Sequence, residues 1–298
     1  MTTVTMSGVR LAHDDRGEVA QLHGLGIQRF GDLYYAYGEN KVKGNLFQGV
    51  VCYTSPDLQD WTNRGIVLPV RDEGLLAADT IAERPKVLRC PSTGEYVMYV
   101  HAERHDYSYA HVAVAVADDP LGPFRFLFSM QPFGNISRDI GVFQDEGGEG
   151  YLLSEDREHG THIYRLSADY HSVVEDVVCL KGTDYAFGYE SPTMIRHEGL
   201  YYWFGSQLTG WDCNDNMFAT APAIEGPWSD WRPFTPEGSR TFDSQCDLVL
   251  PLPDGQFLYI GDRWNPDDLG NSPTLWLPIR IGGGNASLEW HDEWHYEA

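Results

Sequence analysis

The sequence predicts an all-β protein, a five-bladed β-propeller with residues 1–298 as a single domain. Five times a turn residue is followed by an aromatic that opens a short apolar run: GDLYYAYGE from Gly31, TGEYVMYVH from Thr93, GEGYLLSED from Gly148, EGLYYWFGS from Glu198 and DGQFLYIGD from Asp254. The anchor aromatics Tyr34, Tyr96, Tyr151, Tyr201 and Phe257 are 62, 55, 50 and 56 residues apart, a period that suits one antiparallel sheet per repeat. Each copy also sits between further strand-like runs, so each repeat reads as strand, turn, strand, turn, strand and an outer strand.

Taken in order, blade one has GLGIQRF before its anchor run and VVCYTS after it, then the turn SPDLQDW. Blade two has RPKVLRC, HVAVAVA and DDPLGPF, and blade three has IGVFQD and HIYRLS. Blade four has PTMIRH, MFATA and APAIEGPW, and blade five has DLVLPL and LWLPIR. Segments rich in Gly, Pro and Asp separate the blades and read as loops at the two ends of the ring. The ring closes in one of two ways: the tail SLEWHDEWHYEA pairs with the first residues, or the N-terminal segment supplies the outer strand of blade five.

Composition narrows the partners. The chain is 42% hydrophobic and 13% aromatic, enough for a large core, and it contains no apolar run long enough to span a membrane. Its net charge of −23 opposes nucleic acid, anionic membrane and anionic polymers, which are bound through basic contacts; a neutral oligo- or polysaccharide suits it better. Cys52, Cys90, Cys179, Cys213 and Cys246 are scattered, odd in number and free of CxxC spacing, so they read as thiols in a reducing compartment. The start MTTVTMSGVRLAHDD has no apolar signal core, and the expectation is a cytoplasmic protein, or a secreted one if the sequence is truncated.

The candidate chemistry lies at the strand starts. In a propeller the first strand of each blade is nearest the axis. Counting back 11 to 13 residues from each anchor aromatic gives Glu83, Asp139, Glu190 and Gln245 in blades two to five, and Leu22 or His23 in blade one. Matching places around a pseudo-fivefold axis converge on one pocket. Each of these groups opens an apolar run, where a charge is costly to bury without a partner, such as Arg84 or Arg138. Opposed carboxyls across a pocket suit glycoside hydrolysis, which needs a protonated acid at the leaving oxygen and a second group on the opposite face of the sugar. Glu190, set in YESPTM at the head of an apolar strand, suits the acid, with Asp139 as the neighbouring charge that keeps it protonated. Trp211 and Tyr107 could stack on sugar rings; for Trp211 a buried core position is the other reading, against which LTGWDCNDN reads as an end loop.

Other motifs carry less. HDEWH at His291–His295 has its Glu one place late for a zinc helix, and His101, His105 and His111 read first as satisfied loop histidines. No cofactor is required and no metal ligand set is assigned, although converging axial loops could hold a structural calcium.

The motifs ERPKVL, SRDIGVF, YESPTM, TFDSQCDLVL and YIGDRW resemble those of glycoside hydrolase family 43, and within it the exo-β-1,3-galactanase branch, as do HGLGI and QLTGWDCNDN. The resemblance runs from about Leu22 to Trp264. It implies an inverting, exo-acting hydrolase that releases galactose from the non-reducing end of β-1,3-galactan, the arabinogalactan backbone. On matching positions Glu190 is implied as the acid, Asp139 as its tuning partner and Glu83 as a hydroxyl ligand, with Glu39, Tyr107, Thr209 and Trp211 as substrate contacts; His23 joins them from its place in the repeat. Most of the family carries an Asp entering blade one; here Gln21-Leu22-His23-Gly24 stands there, and the resemblance passes the water-side role to Gln245. A carboxamide is a weak base. Gln245 would accept a proton only as its imidic-acid tautomer, or would merely orient the water while the proton leaves through Asp243 or another group. The alternatives are another exo-glycosidase of this architecture, acting on arabinofuranosides, xylosides or galactofuranosides, and a sugar-binding propeller without turnover.

Overall fold

The computed structural model describes residues 2–182 and 187–298, and its strands form five small sheets in a ring, a five-bladed β-propeller. Blade one runs outward from Gly26–Phe30 through Leu33–Glu39 and Val50–Ser55 to Thr62–Leu68. Blade two comprises Thr80–Arg89, Tyr96–Arg104, His111–Ala117 and Arg125–Met130, and blade three Ile140–Gln144, Gly150–Asp156, Gly160–Leu166 and Val173–Leu180. Blade four comprises Glu190–His197, Leu200–Ser206, Met217–Ala221 and the short Arg232–Pro233. In blade five Gln245–Pro251, Phe257–Asp262 and Thr274–Gly282 are followed outward by Val9–Arg10, from the other end of the chain. Every pair is antiparallel, as hairpin-linked strands must be.

The anchor aromatics open, or nearly open, the second strand of every blade. Those strands have a neighbouring blade on each face, so they lack the one-sided alternation of an exposed sheet. Gly150–Asp156 is buried throughout. The core accordingly divides into five clusters, one at each blade interface. Met98 and Cys52 meet between blades two and one, Tyr99 and Leu152 between two and three, Leu153 and Trp203 between three and four, Tyr202 and Tyr259 between four and five, and Ile260 and Ala36 between five and one. No helix among the described residues is long and apolar enough to cross a membrane.

Both proposed closures are present. Thr3–Ser7 pairs with Glu293–Glu297, and Val9–Arg10 extends blade five. The pairing buries Trp294 and Tyr296 against Trp276, and Trp294 Nε1 donates to Trp276 O at 2.9 Å. His295 therefore lies in a closing strand.

Around the axis the inner strands approach backbone to backbone. A Cβ on Gly141 would fall 1.9 Å from Pro192 O in the next blade, so a side chain at this position would wedge blade three from blade four. Gly141→Ala should lower stability by about 1–3 kcal/mol, the usual effect of overpacking. The check is the urea unfolding midpoint of the variant, which should fall at an unchanged slope.

Candidate active site

Local backbone irregularities aim the inner-strand residues at the axis. The ladders slip between Glu83 and Lys86, between Glu190 and Thr193, and between Cys246 and Leu248. Bulges of this kind re-aim side chains. Arg84 and Ser191 occupy the left-handed region there, with φ of 53° and 54°. Before blade five four consecutive residues, Arg240 to Asp243, all have φ between 50° and 57°. A left-handed turn costs roughly 1–2 kcal/mol per residue. It is held by the end of the Trp211 loop: Asp215 accepts from Arg240 N at 2.7 Å, and Thr241 Oγ1 accepts from Asn216 N at 2.7 Å. Asn216 Oδ1 in turn accepts from Cys246 N at 2.7 Å, so this loop fixes the entry of Gln245.

Glu83, Asp139, Glu190 and Gln245 line one cavity of about 420 Å³ together with Glu39, Tyr107 and Trp211. Two expected contacts lie outside its lining. His23 is 1% exposed and packs behind Trp264, with ring centroids 5.8 Å apart. The chain turns at Gly24, φ 52°, before the inner strand begins, and this sends His23 between the blades. Thr209 is exposed beside Gly210 of the rim; its hydroxyl donates to Asp212 O and accepts from Asn214 Nδ2, which closes its own loop. Trp211 stands on that loop and meets Trp264 edge to face at 5.0 Å.

Blade one does supply a carboxylate, from its second strand. A Cβ on Gly24 would fall 1.8 Å from Glu39 Oε1, so Glu39 fills the space at this entry point. Glu39 Oε1 accepts from Arg84 N at 2.8 Å, and Oε2 lies 2.9 Å from Lys41 Nζ. Lys41 also donates to Asn45, Asn45 Nδ2 donates to Tyr107 OH at 2.8 Å, and Tyr107 OH donates to Glu83 Oε1 at 2.8 Å. This chain of bonds walls one side of the pocket between blades one and two.

Arg84 is the floor. Its Nε lies 3.2 Å from Asp139 Oδ2, one terminal nitrogen bonds Asp247, and the other donates to Gln245 Oε1 at 2.6 Å. Burial opposes a charge on Asp139, but Arg84 and His101 outweigh it and hold the carboxyl well below its ordinary range. Burial likewise opposes ionisation of Glu83, yet His101 and Lys41 bring it down to about 2. His101 is buried as well, and Asp139, Glu103 and Glu83 keep it charged well above the usual histidine range. Glu190 goes the other way. Burial, then the charges of Asp139 and Glu155, push its carboxyl well above the ordinary range, against Arg157 and Arg84.

Gln245, expected on the water side opposite the acid, is instead hydrogen-bonded to Glu190. Its Nε2 donates to Glu190 Oε1 at 2.9 Å and to Ser206 Oγ at 3.1 Å. Its Oε1 accepts from Arg84 and, at 2.9 Å, from Trp264 Nε1. Both of those neighbours are donor-only groups, which fixes the amide orientation. An imidic acid would turn an O–H toward two donors, so the amide is the form that fits here. Asp243 is half-exposed, pairs with Arg240 and Arg263, and lies outside the cavity lining.

Glu83, His101 and Asp139 offer three ligand atoms within 4.8 Å of one another. Lys41 Nζ lies 3.7 Å from Glu83 and Arg84 Nε 3.2 Å from Asp139, so cations already neutralise the trio. Calcium prefers six to eight oxygens, and this donor set does not suit it.

Several functional neighbours were not singled out from the sequence. Nothing local in the sequence separates Arg84 from an ordinary ion-pair partner or His101 from a satisfied loop histidine. Lys41, Arg157 and Trp264 carried no local signal beyond YIGDRW for the last. Arg157 donates to Glu190 Oε2 at 3.2 Å.

A five-bladed propeller with buried carboxyls around one axial pocket suits a glycoside hydrolase, and comparison with known proteins agrees. The profile of glycosyl hydrolases family 43 matches residues 23–236, and the chain belongs to that family. No curated protein matches it. Among solved structures it is similar to a proposed exo-β-1,3-galactanase from Bifidobacterium bifidum s17, with 61% identity, TM-score 0.94, and 96% of this chain and 97% of that one covered. It is also similar to the exo-β-1,3-galactanase of Phanerochaete chrysosporium, solved with β-1,3-galactotriose, at 33% identity and TM-score 0.93, covering 98% of this chain and 68% of that one. A family 43 β-1,3-galactosidase solved with galactodeoxynojirimycin matches at 28% identity and TM-score 0.87 over 98% of this chain and 100% of that one. The protein is a glycoside hydrolase, similar in sequence and structure to exo-β-1,3-galactanases and to a β-1,3-galactosidase.

The buried Arg84 network generates a stability test. Arg84→Met leaves Asp139 and Asp247 without their cation and should cost about 3–5 kcal/mol. Asp262, 3.6 Å from Arg84 and lifted by burial to about 6, joins the effect. A folded carboxyl raised above its unfolded value weakens the fold as the pH climbs past the unfolded value. The deficit should therefore be smaller near pH ~5 than near pH ~8. Denaturant titrations at both pH values check it, and an equal deficit would contradict the assignment.

Proposed function

We propose that the protein is an inverting exo-acting hydrolase that releases galactose from the non-reducing end of β-1,3-galactan, with Glu190 as general acid. The observation that carries this reading is the buried Glu190 carboxyl, 4% exposed, which burial and the neighbouring Asp139 push toward its protonated form in a pocket walled on one side by the Lys41–Asn45–Tyr107–Glu83 bonds. A wall of this kind favours a chain end over a chain running through. The likeness to galactanases and a galactosidase supports galactose in the pocket.

In this reading Glu190 hands its proton to the leaving oxygen. Asp139 and Glu83, both ionised, accept hydroxyl hydrogen bonds from the sugar, and Glu39 and Tyr107 line the same wall. Trp211 and Trp264 offer apolar faces at the mouth. Gln245 takes the water side. All four of its hydrogen-bonding positions are filled in the free enzyme, so it has nothing left for water until the leaving oxygen displaces its N–H from Glu190. That N–H then orients the water, and proton acceptance falls to a carboxylate of the pocket. Inversion also requires the acid and the water-holding group to move apart to roughly 6.5–9.5 Å.

Glu190→Gln should keep sugar binding and lose about 10²–10⁴-fold in rate on β-1,3-galactobiose, with far less loss on an aryl galactoside that needs no proton. Near-normal turnover of the disaccharide would remove Glu190 from this role. Proton NMR in the first turnovers should show α-galactose, and β-galactose appearing first would exclude inversion.

Asp139→Asn deletes a negative charge beside Glu190, which eases its ionisation. The basic limb of the pH–rate profile should then move to lower pH. A limb that stays in place would mean the two groups are not coupled.

A further inference from the structure

Glu155 is a buried acid that the chemistry above does not use. It lies near the end of the second strand of blade three, behind Asp139: Glu155 N donates to Asp139 O at 2.9 Å, and Arg138 N donates to Glu155 O at 3.0 Å. Its side chain is fully buried, and Oε1 has no hydrogen-bond partner. Its cation is Arg157, whose Nε lies 3.4 Å from the carboxyl, while the NH2 nitrogen of the same guanidinium reaches Glu190 Oε2 at 3.2 Å. One guanidinium thus spans two carboxyls from adjacent blades. Arg157 is 44% exposed, unlike Arg84 at 4%, so packing does not commit it to either one.

We propose that Glu155 is a positioning residue for the acid, competing with Glu190 for Arg157, so that the carboxyl left without the guanidinium is the one that keeps the proton. The functional step rests on Glu190 being the acid. Charge counting supports it. Asp139, Glu155 and Glu190 face Arg84, Arg157 and Arg138. Arg84 is engaged by Asp139, Asp247 and Gln245, and Arg138 by Glu103 at 3.4 Å and by Tyr107 O at 2.8 Å. That leaves Arg157 as the shared cation for two buried carboxyls, and once Glu155 has ionised the pair retains one proton between them. Burial lifts Glu155 to about 7. Below that pH Glu155 is neutral, and Arg157 is free to favour the Glu190 anion. Above it the Glu155 anion draws Arg157 away and holds the proton on Glu190, so the acid stays competent to higher pH.

The test is a ¹³C titration of side-chain carboxyls, with the Glu190 signal assigned by its loss in Glu190→Gln. Glu155→Gln should move the Glu190 midpoint down by about one pH unit, and Arg157→Gln, a half-exposed position that should fold, should move it up. Glu155→Asp should return it toward the native value. Shifts of opposite sign are what a merely structural role would not produce. Unmoved midpoints in both Gln variants, or shifts of the same sign, overturn the proposal. The pH–rate profile of the disaccharide then speaks to the acid assignment separately: with Glu190 as the acid, the basic limb follows the midpoint and Glu155→Gln loses about tenfold in rate on the alkaline side. A midpoint that moves under a fixed limb supports the coupling and counts against Glu190 as the acid.

Discussion

A single buried guanidinium holds the centre of this ring together. Arg84 enters from blade two, yet its contacts belong to other blades: Asp139 from blade three, and Gln245 and Asp247 from blade five. Its backbone N–H binds Glu39 of blade one. Without this cation the inner strands would bring carboxylates together in a space that water cannot screen. A lysine could neutralise one of them, but only the planar fork of arginine meets three acceptors from one fixed position. The left-handed φ at Arg84 is the local cost of aiming it there, against the extended conformation that the following Pro85 favours, and Pro85 has no N–H to offer the ladder where it slips.

Around that cation two layers of polar groups are stacked. The inner layer is Glu83, Asp139, Glu190 and Gln245, at the strand starts. The outer layer is carried by the second strands, whose ladder register sets His101 opposite Glu83, Ser206 opposite Glu190 and Asp262 opposite Gln245. The outer layer differs in charge from blade to blade, and this separates chemically similar carboxyls. Glu83 has a charged imidazole behind it and ionises readily. Glu190 has a serine behind it and two acidic groups, Asp139 and Glu155, beside it, and its carboxyl is pushed toward the protonated form. Pairs of acids pushed apart by their surroundings are the usual mark of acid–base chemistry.

The strain at these positions is carried by packing elsewhere. The left-handed turn from Arg240 to Asp243 and the bulges at Arg84 and Ser191 lie at one end of blades whose other residues are locked between neighbours. The loop with Trp211 is tied into the same turn through Asn214, Asp215 and Asn216. A change in the mouth of the pocket is therefore mechanically connected to the placement of Gln245.

Much of this was written in the linear sequence. Tyr34, Tyr96, Tyr151, Tyr201 and Phe257 mark five repeats because each blade must bury a strand on both faces, and this demands aromatics at a regular place. The same regularity maps a position in the repeat onto a position at the axis, which is why Glu83, Asp139, Glu190 and Gln245 were legible as one site. The contacts between them were not. Gln245 touches Glu190 across 55 residues and Arg84 across 161, and Arg84 meets Asp247 across 163. His23 shows the limit most directly: it matches the repeat, but the turn at Gly24 carries it behind Trp264. One residue of slip in a strand exchanges its faces. Which side chains meet, and hence which carboxyl keeps its proton, was decided only when bulges and blade packing fixed distances and burial.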